Sequence, residues 1–384
     1  MVYDLAMKVL AAGLLLMISI QAHLIVSATA AAAGDVAGPS KIRIRQVPAM
    51  YVFGDSTLDV GNNNYLPGAD VPRANMPLYG IDYLGSKPTG RFSNGYNVAD
   101  FIAKKLGLKE SPPAYLSLAP RTTPLVVTAL AEGVSYASAG AGILDSTNAG
   151  NNIPLSKQLR YFESTKAEMQ AKVGSAAVRF LLSRSFVLLG IGSNDLFVFA
   201  AAAPTPTPAD VVALYSGLIS NYSAAITDLY GMGARKFGII NAGLLGCVPA
   251  VRALSTTGAC DDGLNQLAAG FDGALQSLMA SLAARLPGLV YSLADSHGLT
   301  QATFADPQAS GYTTIDSACC GSGRLGADSD CLPNSTLCGN HDQFVFWDRV
   351  HPSQRAGELS AAAFYDGAPE FTAPINFKQL ARKI

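Results

Sequence analysis

Ser56 closes the stretch Phe53-Gly54-Asp55-Ser56, and Asp348 stands three residues before His351 in Asp348-Arg349-Val350-His351-Pro352. These are the residue types of nucleophilic catalysis. A serine hydroxyl attacks only when an imidazole takes its proton, and the imidazole needs a carboxylate on its other nitrogen to fix the tautomer and stabilise the cation. Residues three apart in a turn or a first helical turn lie on one side. Asp348 can therefore reach Nδ1 of His351 while Nε2 points outward, toward Ser56 if the C-terminal segment folds over it. Each part also has a plainer reading. Ser56 can be a helix N-cap or turn residue, Gly192-Ser193-Asn194-Asp195 can hold a cap, and Asp-x-x-His can be a surface ion pair.

Other constellations compete. Of the four histidines, His23 lies in an N-terminal apolar segment, which leaves His297, His341 and His351. Asp295-Ser296-His297 and His341-Asp342 also join carboxylate to imidazole, but they lie on separate segments without a ligand spacing such as His-Glu-x-x-His, so no metal site is expected. Asp55 and Asp59 could serve as a glycosidase carboxylate pair, yet nothing in their spacing singles them out. The Gly-x-Ser-x-Gly elbow is absent, since Gly133-Val134-Ser135-Tyr136-Ala137 fails at its last position.

The elements that would position these groups alternate in type. Ala49-Met50-Tyr51-Val52-Phe53 reads as a buried strand ending at Gly-Asp-Ser, and Gly133–Ala137 as a second. Phe186–Ile191, Phe237–Ile240 and Leu289–Leu293 follow as three more. Between them lie amphipathic segments, the clearest placing Val211, Leu214, Leu218, Tyr222, Ile226 and Leu229 at helical spacing. Strands with continuous apolar runs alternating with helices imply a mostly parallel sheet covered on both faces. In such sheets ligands bind outside the carboxyl ends of the strands, where Ser56 and Ser193-Asn194 both fall. The Pro/Thr/Ala-rich segment 201–209 (AAAPTPTPA) directly precedes the clearest helix and reads as a surface loop rather than a domain boundary.

Composition narrows the functional classes. With 49% hydrophobic and 14% charged residues and a formal net charge of -1, the chain is globular and has no basic run suited to nucleic acid. Lys8 followed by apolar Val9–Ile20 and the small-residue sites Val26-Ser27-Ala28 or Ala28-Thr29-Ala30 is the pattern of a secretory signal peptide. Gln21 and His23 interrupt the run before it reaches the roughly 20 apolar residues of a membrane span. The expected organisation is a signal peptide ending near residue 30, a short linker over 31–47 and a single domain over 48–384. Cys247, Cys260, Cys319, Cys320, Cys331 and Cys338 are even in number and suit disulfides in an oxidising compartment. A local Cys247–Cys260 loop is expected, with the other four stapling the 319–338 segment. Asn221-Tyr222-Ser223 and Asn334-Ser335-Thr336 are permitted glycan sites after export.

Taken in order, Phe53-Gly54-Asp55-Ser56, Gly90-Arg91-Phe92-Ser93-Asn94-Gly95, Gly192-Ser193-Asn194-Asp195 and Asp348-Arg349-Val350-His351-Pro352 resemble the GDSL esterase/lipase family of the SGNH hydrolase superfamily, most closely its secreted plant branch. The likeness runs from about Tyr51 to about Tyr365. It includes Asp59-Val60-Gly61-Asn62-Asn63, the 133–144 stretch (GVSYASAGAGIL) and Cys319-Cys320-Gly321. The resemblance implies a flavodoxin-like three-layer α/β sandwich and a secreted enzyme that cleaves carboxylic esters through an acyl-enzyme, without metal or organic cofactor. It implies Ser56 as nucleophile, His351 as base and then acid, Asp348 as orienting carboxylate, and an oxyanion hole from the N–H groups of Ser56 and Gly95 and the Asn194 amide. Asp55 and Asp195 would brace their loops. The implied partner is a small-molecule, lipid or polysaccharide-linked ester, with no nucleic acid and no membrane span after leader cleavage. Acyl transfer to a wall or cuticle acceptor is the rival activity, and a catalytically silent secreted binding protein the third reading. Thr57 and Leu58 depart from the Leu of the family's name.

Overall fold

The computed structural model describes residues 45–119 and 121–383. The expected signal peptide and nearly all of the expected linker lie outside the described residues. The central sheet is built from β1 (Met50–Gly54), β2 (Phe186–Gly190), β3 (Lys236–Ile240) and β4 (Val290–Ala294), paired parallel in that order. β1 and β2 are buried at every residue. Their side chains alternate between the two faces. Tyr51, Phe53, Val187 and Leu189 join one apolar core, while Met50, Val52, Phe186 and Leu188 join another on the opposite face. A strand with helices on both sides has no polar face to present, which is why these runs are continuously apolar.

The first core is covered by α2 (Thr122–Ala131), α3 (Leu155–Val173), α4 (Ser175–Arg184), α6 (Pro208–Met232) and α7 (Asp262–Arg285), with α5 (Ser193–Ala202) contributing Leu196. The second is covered by α1 (Val98–Lys105), α9 (Gln354–Asp366) and α10 (Phe377–Arg382). A further helix, α8 (Ser296–Ala305), follows β4. The chain is thus the expected flavodoxin-like three-layer α/β sandwich.

The expected strand at 133–137 takes a different form. It lies beside β1, where Tyr136 N–H donates to Val52 O and Val52 N–H to Val134 O, but only as an isolated parallel bridge between Val52 and Ser135. Its outer side is occupied: Asn62 Nδ2 donates to the carbonyls of Ser135 and Ala137, and Tyr115 N–H donates to Ser135 O. Side-chain and loop partners replace a ladder there. With this segment outside β1, the first strand sits between the second and third in chain order, and Ser56 leaves β1 at the point where the order reverses.

Four short strands organise the C-terminal third: β5 (Thr314–Ala318) with β8 (Phe344–Phe346), and β6 (Cys320–Gly321) with β7 (Thr336–Leu337). β9 (Thr372–Ala373) adds antiparallel to β4 at the sheet's edge. Disulfides join Cys247 to Cys260, Cys319 to Cys338 and Cys320 to Cys331. The 203–207 loop ends where Thr207 and Asp210 form a capping box on α6, with Pro208 at its first turn. No helix among the described residues is long and apolar enough to cross a membrane.

Candidate active site

Ser56 stands two residues past β1, in a turn that glycine and aspartate shape. A Cβ on Gly54 would run into the Gly190 carbonyl, so only glycine lets β1 lie this close to the end of β2. Asp55 Oδ1 accepts from Thr57 N–H at 3.0 Å and from Thr57 Oγ1 at 2.8 Å, and the Asp55 carbonyl accepts from Leu58 and Asp59 N–H. Burial pushes the Asp55 carboxyl up, against the Thr57 hydrogen bonds. The hydroxyl at position 57, where the family name carries leucine, therefore solvates a buried acid. Leu58 is buried in the second core.

The C-terminal segment reaches Ser56 from the other side. Ser56 Oγ–H donates to His351 Nε2 at 2.7 Å, and His351 Nδ1–H donates to Asp348 Oδ2 at 2.8 Å and Oδ1 at 2.9 Å. Trp347 N–H donates to His351 O at 2.8 Å, which closes the turn between them. Asp348 is buried and saturated with donors. Oδ1 takes Val350 N–H at 2.9 Å and His351 N–H at 2.7 Å, and Oδ2 takes the Tyr79 hydroxyl at 2.8 Å. Burial alone would raise the Asp348 carboxyl, but His351 and these donors hold it below the ordinary carboxylate range. Burial alone would lower His351. The charge and hydrogen bond of Asp348, with help from Asp55 and Asp330, overcome this and raise the imidazole above its usual value. Phe92 packs on the His351 ring at a centroid distance of 4.7 Å.

Residues 50–364 of this chain match the family described as GDSL-like lipase/acylhydrolase. The chain belongs to that family. Among similar proteins of Arabidopsis thaliana, GDSL esterase/lipase At1g71691 is 36% identical over 87% of this chain and 86% of its own length. GDSL esterase/lipase At1g71250 is 37% identical over 87% and 89%, and GDSL esterase/lipase LTL1 is 36% identical over 85% and 89%.

In this GDSL-family chain the remaining expected site residues are placed differently from one another. Asn194, in the first turn of α5, lines the same cavity of about 170 Å³ as Ser56 and His351. One of its amide hydrogens is held by Ala141 O at 3.0 Å, which orients the group and leaves the other hydrogen available. Gly95 is buried, its N–H donating to Ser93 Oγ at 3.3 Å. A Cβ there would collide with Gln354 Oε1, the acceptor for Tyr96 N–H, so this glycine lets the 90–95 loop dock on the start of α9. Asp195 accepts from Ile143 and Leu144 N–H and from Thr147 Oγ1. Asp59 accepts from Gly61, Asn62 and Ala139 N–H, and burial pushes its carboxyl up to about 6 despite them.

The competing pairs stay apart from Ser56. His341 Nδ1 meets Asp82 at 2.6 Å, and His297 lines a separate cavity with Asp272 and Asp295. Asn221 is exposed on α6 and Asn334 in the β6–β7 loop. Tyr79, within a turn, carries no sequence signal for its place on Asp348. The buried Arg91–Asp100 pair, which ties the 90–95 loop to α1 at 2.7 Å, had a partial signal in the GRFSNG block.

Proposed function

We propose that this chain is a secreted carboxylic ester hydrolase that works through an acyl-enzyme, with Ser56 as nucleophile, His351 as general base and then acid, and Asp348 as the carboxylate that holds His351. One observation carries the reading: the hydrogen bonds Ser56–His351–Asp348 form an unbroken relay at the wall of a cavity. Ser56 Oγ attacks the ester carbonyl carbon as its proton passes to His351 Nε2. The tetrahedral oxyanion collapses, the C–O bond to the alcohol breaks, and the alcohol leaves with the His351 proton. Water then attacks the acyl-enzyme with His351 again as base, and Ser56 recovers its proton as the acid departs.

The developing oxyanion would be met by the Ser56 N–H, which has no protein acceptor among the described residues, and by the Asn194 amide at the positive end of α5. The Gly95 N–H is the third donor, and its long bond to Ser93 is weak enough to exchange. Export rests on the leader pattern together with three disulfides, and residues 48–384 act as one hydrolase domain. A serine-directed organophosphonate should label the protein once, at Ser56, and the secreted chain should begin near residue 31 by N-terminal sequencing. Label on Ser135 instead would overturn the assignment.

A further inference from the structure

Gln158 lies in the first turn of α3, 104 residues from Gly54 in sequence, and its side chain is wholly buried. A buried amide must find partners for its acceptor and both donors, because a polar group left unpaired inside the protein is destabilising. Most of that capacity goes to one residue. Gly54 N–H donates to Gln158 Oε1 at 2.9 Å, and Gln158 Nε2 donates to Gly54 O at 2.8 Å. The second amide hydrogen is held by Ile153 O at 2.8 Å, which fixes the plane of the group.

The pairing falls where the edge of β1 runs out of backbone partners. Along that edge Val52 N–H donates to Val134 O, Tyr136 N–H donates to Val52 O, and Ser138 N–H donates to Gly54 O at 3.0 Å. A parallel ladder continued in this register would send Gly54 N–H to the Tyr136 carbonyl. Gln158 Oε1 takes it instead. On the opposite side Asp55 N–H donates to Gly190 O at 3.1 Å. The two peptide units before Ser56 are thus clamped between the end of β2 and the start of α3.

We propose that Gln158 is a positioning residue for Ser56. By holding both polar groups of Gly54 it sets the path of the chain into Asp55, and with it the direction of Ser56 Oγ toward His351 Nε2 and of the Ser56 N–H toward the oxyanion. The proposal rests on the ester-hydrolase reading above and adds to it a side chain that acts from outside the Ser56 cavity. A displacement of about 1 Å at a reacting group can cost on the order of 100-fold in rate.

The test uses the full secreted chain. Gln158→Met keeps the length of the side chain and removes its donors and acceptor. On a short activated ester kcat should fall roughly 10- to 100-fold while KM stays within about twofold of wild type. A serine-directed organophosphonate should label Ser56 more slowly by a similar factor. The acid limb of kcat/KM should stay where the wild type has it, because Asp348 and His351 keep their own hydrogen bonds. A general loosening of the site would raise KM and move that limb. If Gln158→Met fails to fold, Gln158→Glu takes its place. Its protonated carboxyl offers Gly54 a donor and an acceptor, whereas the ionised form offers acceptors only. Its kcat relative to wild type at the same pH should therefore rise on acidification from about pH 8 to about pH 5.5, a span in which buried carboxyls titrate. A folded Gln158→Met with kcat within about twofold of wild type, or with its loss carried by KM, overturns the positioning role and leaves the hydrolase reading intact. So does a Gln158→Glu ratio that fails to rise on acidification. Turnover that survives Ser56→Ala overturns the hydrolase reading itself.

Discussion

Tyr79 Oη donates to Asp348 Oδ2 at 2.8 Å, across 269 residues of chain, and so holds from behind the carboxylate that faces His351. A hydrogen bond to a charged group contributes about 1.5–3 kcal/mol. Tyr79→Phe removes one donor and leaves the ring in place. It should lower kcat roughly tenfold while KM stays nearly constant, and the acid limb of the pH–rate profile should move. An unchanged kcat and profile would reduce Tyr79 to packing.

Ser56→Ala should fold as the wild type and lose turnover by on the order of 10³-fold or more. Steady-state rates on a short activated ester, with circular dichroism to check the fold, measure this. Full activity in the variant would require another nucleophile.

The pH dependence follows from the raised imidazole. His351 must be neutral to accept the Ser56 proton, so kcat/KM should fall on the acid side at a pH above the ordinary histidine value of about 6.5. Asp348→Asn removes the main cause of the shift. It should return the limb toward about 6.5 and drop kcat by roughly 10³–10⁴-fold. Stability carries the same signature. The His351 contribution is complete below about 6.5 and is lost as pH rises through its higher folded value. The Asp348 contribution is present above about 3.9 and is lost as pH falls through its lower folded value. The Tm difference between wild type and Asp348→Asn should therefore peak between about pH 4 and 6.5, and a difference flat with pH would contradict the pairing.

Asp272 is 8% exposed, its Oδ2 has no partner among the described residues, and burial pushes its carboxyl up to about 8, with Asp295 adding to the rise. A group whose folded pKa lies above its unfolded value of about 3.9 loses stability steadily as pH climbs between the two. Asp272→Asn keeps the acceptor for Ala242 N–H and removes the titration. Its Tm relative to wild type should rise between pH 4 and about 8, as differential scanning fluorimetry across that range would register. A constant offset would show that Asp272 does not titrate there.

The disulfides act on the site through hydrogen bonds. Cys319 N–H donates to Phe346 O and Cys320 N–H to Trp347 O, the residues that lead into Asp348. Reduction should lower activity at reductant concentrations that leave the global unfolding transition intact. The Cys320→Ala/Cys331→Ala double variant, which opens a loop of sequence separation 11, should lose about 2–4 kcal/mol of stability. Free thiols by mass mapping of the unreduced protein would remove the basis for both expectations.

What could be read along the chain was local. Apolar runs such as 186–190 announce strands covered on both faces, and the Val211–Leu229 spacing announces a helix, because period 2 and period 3.6 are visible within a dozen residues. The Asp348–His351 pair was legible for the same reason, being closed by its own turn. The bridge at Ser135 was not, because its form depends on Asn62 and Tyr115, whose approach no local spacing encodes.

The sequence by itself determined the alternation of elements, the turn chemistry at Gly54-Asp55-Ser56 and the short set of residues able to do chemistry. The tertiary structure decided which of them meet. It brought Ser56 to His351 across 295 residues, set Tyr79 behind Asp348 and paired the last four cysteines. The physical reason is that strand order and parallel register bring chain segments together from opposite ends of the sequence. Each such contact is a sum over many weak packing terms, and no single stretch of residues contains that sum.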